Sequence, residues 1–151
     1  MAKRRPARKR AVLGYPSHWF KPEELLTFIE LRCFTRRWEQ LELTDLDLEA
    51  LQVILMLQPK GGDVVEGTGG LRKLRFAPAG SGRGKSGGLR VCYTYVEEVA
   101  TVVLALVYQK GEKDDLDAAE KAVLATALEE VRQALLSRPY RSGRPPGTGE
   151  R

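Results

Sequence analysis

The sequence predicts an α+β domain: an N-terminal strand and a helical hairpin packed on a small, largely antiparallel sheet, with a C-terminal helix. Three observations carry this. Strand-like segments Leu71–Phe76, Leu89–Val96 and Thr101–Tyr108 follow one another without an intervening helical pattern. The link Glu97–Ala100 is too short for a crossover, so the two strands it joins pair antiparallel. Helical patterns lie before and after this run rather than alternating with it, which separates the class from α/β.

Each element has its own signature. Residues 1 to about 22 open with MAKRRPARKR and continue through Gly14, Pro16 and Pro22. A like-charge block with so few apolar residues repels itself, so a disordered basic arm is expected. Thr27–Leu31 (TFIEL) has strand character. Phe34–Leu41 suits a short helix with Phe34, Trp38 and Leu41 on one face. Thr44 is an N-cap candidate, with Asp45 and Asp47 in the first turn and Leu48, Leu51 and Leu55 at helical spacing. Pro59 and Gly61-Gly62 end this second helix, and the few residues between Leu41 and Thr44 make the pair a hairpin. Thr101–Tyr108 (TVVLALVY) is apolar almost throughout, as a central strand buried on both faces would be. Asp117 begins the last helix, with Glu120 as its capping-box partner and Val123, Ala127, Leu128, Val131 and Leu135 as its apolar stripe. The Pro/Gly/Arg-rich residues 138–151 read as a disordered tail. The expected domain is therefore 23–137.

Charge is distributed unevenly. The chain carries +5 overall, but residues 1–10 hold six Lys and Arg, and residues 138–151 hold four Arg against one Glu. The remaining stretch, 11–137, is left at −4. Cys33 and Cys92 give neither a disulfide framework nor metal-ligand spacing, and are expected as small buried residues in a reducing cytoplasm. Nothing approaches the ~20 apolar residues of a membrane span, nor the apolar run of a signal peptide. A cytoplasmic protein with no membrane partner is expected.

Against the acidic background, one stretch stands out. Gly67–Val96 holds Arg72, Lys73, Arg75, Arg83, Lys85 and Arg90 without a single acid. Strand alternation points Lys73 and Arg75 to one side, and likewise Arg90, Cys92 and Thr94. Strand interiors seldom hold three arginines without an anionic partner, and guanidinium suits phosphate. RNA is the expected ligand, with the tyrosines nearby as stacking candidates.

Other chemistries fit poorly. GSGRGKS, Gly80–Ser86, lacks the first glycine of a phosphate-binding loop, since that position is Ala79, and it leads into a strand rather than a helix. His18 is the single histidine and lies in the arm, which disfavours histidine-based nucleophilic or two-histidine mechanisms. Asp114, Asp115 and Asp117 precede a helix, where acids favour the dipole. No metal or cofactor is expected.

The phrases GDVVEGTGGLRKLRF, GKSGGLRVCYTYV, VLALVYQKGEKDDL and AAEKAVL occur in this order within residues 27–136, and that region resembles RelE/HigB toxins of bacterial type II toxin–antitoxin modules. The resemblance implies a RelE-like fold and a metal-independent mRNA endonuclease that acts in the ribosomal decoding site of the bacterial cytoplasm. It also implies inhibition by a cognate antitoxin, usually a helix-turn-helix protein (HigA-like). Carried over by motif, the catalytic set would be Lys73, Arg75, Arg90, Tyr93 and Lys110, with Arg72, Arg83, Lys85 and Lys113 binding RNA. Arg75 and Arg90 would clamp the phosphate during attack by a ribose 2′-OH. Lys73 or Lys110 would act as acid or base, and Tyr93 would stack on a base or hold a proton. The alternative is a relative of the same fold that binds RNA or ribosomes without cutting.

Overall fold

A computed structural model of the chain describes residues 8–10, 20–78, 88–112 and 116–137, with only the backbone described for 8–10 and Pro22. The expected tail at 138–151 and the candidates Arg83, Lys85 and Lys113 lie outside these residues. The strands are β1 (Arg8–Arg10), β2 (Thr27–Glu30), β3 (Asp63–Val64), β4 (Arg72–Phe76), β5 (Leu89–Val96) and β6 (Thr101–Gln109). The helices are α1 (Arg32–Gln40), α2 (Asp45–Leu57) and α3 (Ala118–Ser137). The sheet order is β1-β2-β6-β5-β4-β3, antiparallel except for the β2–β6 pair. This is the α+β arrangement that the sequence predicts.

The apolar run of β6 lies inside the sheet, between β2 and β5, and is buried along most of its length. Two hydrophobic clusters, one on each face, account for that. Phe28, Phe76, Leu89, Val91, Tyr93, Val102, Leu104 and Val107 pack against the helical hairpin. Ile29, Cys92, Val96, Val103, Ala105 and Tyr108 pack with Leu124 and Leu128 of α3. A bulge keeps the faces consistent: Cys92 stands opposite Leu106 and Tyr93 opposite Leu104, so Ala105 is the extra residue on β6.

The helices form where their caps and stripes say they should. In α1, Phe34 and Trp38 are buried with ring centroids 5.3 Å apart, and Trp38 reaches Phe76 of β4 at 6.1 Å. In α2, Asp47 N–H donates to Thr44 Oγ1 at 3.1 Å and Thr44 N–H donates to Asp47 Oδ2 at 2.8 Å. This reciprocal box contributes about 1 kcal/mol. The same device opens α3, where Asp117 N–H donates to Glu120 Oε1 at 3.0 Å and Glu120 N–H to Asp117 Oδ1 at 2.8 Å.

Four details differ from the sequence reading. The basic arm is not wholly irregular: Arg8–Arg10 add β1 along the outer edge of β2, with Arg8 opposite Glu30. The backbone groups of an edge strand offer such pairing whatever the side chains are. The two-residue strand β3 was not expected. The α3 stripe runs through Leu124, Leu128, Val131 and Leu135, leaving Val123 67% exposed. Cys33 is exposed rather than buried, although its Sγ–H donates to Ala105 O at 3.0 Å.

Candidate nucleic-acid interface

Strand register decides which basic residues meet. Arg75 of β4 stands directly opposite Arg90 of β5, and Arg90 stands opposite Tyr108 of β6. One step inward, Lys73 stands between Asp63 of β3 and Cys92 of β5. Alternation places Lys73, Arg75 and Arg90 on the face shared with Cys92, Val103 and Tyr108, the one that α3 partly covers. Arg75 is exposed and Lys73 half-buried, so solvent reaches β4 there, whereas Arg90 is only 8% exposed. The register thus sets two guanidinium groups on neighbouring strands of one face, and guanidinium suits phosphate oxygens.

This pair stands near one end of the sheet. Phe76, Leu89 and Gln109 form the terminal row, and Arg75 and Arg90 stand one residue inside it. The exposed Lys110 follows Gln109, and its N–H donates to Gly88 O at 3.4 Å. Arg75, Arg90 and Lys110 are therefore brought to one end of the sheet by β4, β5 and β6, with Lys73 further in on the same face as the arginines.

Two candidates are not part of this group. Arg72 alternates to the opposite face, where its Nη1 donates to Gly62 O at 2.8 Å and to Lys60 O at 3.1 Å. It ties down the turn after α2 from the face opposite the other cations. Tyr93 is also on the helical-hairpin face and is fully buried. Its hydroxyl donates to Pro59 O at 2.9 Å and accepts from Gly62 N–H at 3.0 Å. A Cβ on Gly62 would lie 3.0 Å from both the Tyr93 ring and Lys73 O, so glycine is what lets the turn come so close. Tyr93 is a structural anchor without access to a base or a phosphate, correcting its expected role. By motif Tyr93 stands level with Arg90, since both lie on one strand; only their opposite parity separates them.

Tyr93→Phe is expected to destabilise the fold by about 1–3 kcal/mol, since it leaves a buried donor and a buried acceptor without the hydroxyl. Burial pushes the Tyr93 phenol up, against smaller lowering influences from Gly62 N–H and Arg72. Folding therefore favours the neutral phenol. That contribution is whole below the ordinary phenol value of about 10 and is lost as pH climbs through the raised value. Urea titrations of both proteins across the alkaline range should show a shallower loss of stability for Tyr93→Phe.

The sequence reading missed the part α1 plays here. Arg37 binds both carboxylate oxygens of Glu112, and Glu112 Oε1 accepts from Gln109 N–H at 2.9 Å. This fastens α1 to the turn that carries Lys110. A charged pair within the phrase FTRRW gives no sign of such a distant partner. Among the described residues, no group of three or more His, Cys, Asp or Glu side chains is arranged to hold a metal, and no helix is long and apolar enough to cross a membrane. No protein-family model matches the chain.

Proposed function

We propose that this chain is a RelE/HigB-type toxin that cleaves mRNA on the ribosome and is held inactive by an antitoxin. The observation that carries the reading is the cross-strand pair Arg75–Arg90, flanked by Lys73 on the same face and Lys110 at the same sheet end. The reaction is attack of a ribose 2′-OH on the adjacent phosphorus, with the P–O5′ bond breaking and the 5′-oxygen taking a proton. Negative charge grows on the non-bridging oxygens, where preorganised guanidinium groups act most strongly. Arg75, exposed on β4, meets the phosphate, and Arg90 supports it from the next strand. Lys73 and Lys110 are the side chains that carry protons to and from the reacting oxygens. Their general acid–base help is worth roughly 10²–10⁴. The larger share comes from the ribosome, which holds the strand in line for attack. The antitoxin, a helix-turn-helix protein, offers acidic or helical surface to this cationic end.

One observation favours the non-catalytic reading. With Tyr93 buried, the expected catalytic set keeps only its cations, and cations alone bind phosphate whether or not the strand is cut. Mapping mRNA ends by primer extension in a translation extract separates the two. Discrete new ends at ribosome-occupied codons, absent when translation is blocked, are expected for the nuclease. Intact mRNA at full translation means binding alone, and rapid cutting of the same RNA when free would remove the ribosome from the mechanism.

A further inference from the structure

We infer that α1 carries a second phosphate-binding stripe, Arg32 and Arg36, that grips the same RNA strand beyond the sheet-end site. The inference rests on the RNA-binding reading above. Arg32 and Arg36 are one helical turn apart and both exposed, while the opposite side of α1 buries Phe34 and Trp38. Neither guanidinium has an acidic partner among the described residues, unlike neighbouring Arg37, whose charge is taken up by Glu112. The helix thus keeps two outward cations after its one internal pair is made.

The placement of α1 links this stripe to the first site. Leu31 N–H, just before the helix, donates to Leu104 O of β6, and Cys33 reaches Ala105. Further along, Arg37 holds Glu112 beyond the end of β6, and Trp38 stacks on Phe76 at the end of β4. The helix therefore starts against the middle of β6 and with its second half reaches the sheet end that also carries Arg75, Arg90 and Lys110. Cations lie on both sides of that end: β4 and β5 on one face, α1 on the other. A polyanionic strand bound at Arg75 can continue past Lys110 onto α1, and regularly spaced phosphates suit cations distributed in this way. A small anion would need only the first group.

Single-stranded RNA oligonucleotides, one of about four nucleotides and one of about sixteen, spanning the usual range of site sizes, are titrated with the full-length chain over a series of salt concentrations. The Arg32→Gln/Arg36→Gln double variant should weaken binding of the long RNA and make its log–log salt slope shallower by about 1.4, for two single-strand phosphate contacts. Binding of the short RNA should stay unchanged, and the Arg32→Lys/Arg36→Lys variant should restore the slope. An unchanged slope with the long RNA overturns the inference while Arg75→Gln still weakens both RNAs. An equal loss with both lengths overturns it too, because α1 would then act on the first site and not beyond it. If the unaltered chain binds neither RNA at low salt, the RNA-binding reading itself fails.

Discussion

Arg75→Ala is expected to lower the proposed ribosome-dependent mRNA cleavage by on the order of 10²–10³ while leaving the folded chain no less stable. The two halves of this expectation come from the same geometry. Arg75 is exposed on β4 and stands directly opposite Arg90, so truncating it opens no cavity and buries nothing new. In the proposed reaction Arg75 is a donor aimed at the developing phosphate charge, and its removal costs transition-state stabilisation. Arg90→Ala is the less informative experiment, because Arg90 is 8% exposed and its loss opens space inside the sheet face. End-mapping in a translation extract, with thermal unfolding of the same preparations, checks both halves. A variant that cuts as fast as the parent would remove Arg75 from the clamp. One that loses affinity and salt dependence, in a parent that never cuts, would make this end of the sheet a binding surface only.

How far the site could be read in advance depended on what kind of interaction made each part. The pairing of Lys73 with Arg75, and the separation of Arg90 from its neighbours, followed from strand parity alone, and the antiparallel β5–β6 hairpin followed from its short link. Caps were equally legible, since Thr44 with Asp47 and Asp117 with Glu120 are local in sequence. What parity cannot give is which face of each strand meets which helix. That hid the difference between Arg90, beside the α3 cluster, and Tyr93, clamped by Pro59 and Gly62 in the hairpin core. Contacts between distant segments were also invisible. The Arg37–Glu112 pair spans 75 positions, and β1 pairs through backbone groups that carry no sequence signal.

Gly88→Ala is expected to be the most damaging single substitution near the site, lowering stability by about 2–5 kcal/mol and the proposed cleavage with it. Gly88 ends the glycine-rich connection and opens β5 with φ +65°, which for an L-residue costs roughly 1–2 kcal/mol. A Cβ there would lie 2.6 Å from Phe76 O and 3.3 Å from Ala77 Cα, both backbone atoms at the end of β4 that cannot swing aside. Relieving that overlap means parting the strands where Phe76 faces Leu89, at a further cost of about 1–3 kcal/mol. The loss is a large fraction of a typical stability of about 5–15 kcal/mol. Arg90 lies two residues on, and Lys110 N–H bonds to Gly88 O, so the displacement reaches the cations directly. Gly69→Ala is the internal control. Gly69 has φ +73° but nothing within 4 Å of a new Cβ, so it should show the backbone penalty alone, about 1–2 kcal/mol. Urea unfolding of the two variants isolates the close approach. Equal losses would mean that strand closure at Gly88 does not hold Arg75 and Arg90 together. A clear excess at Gly88, with cleavage falling further than the folded fraction, would tie the chemistry to the closure of this hairpin end.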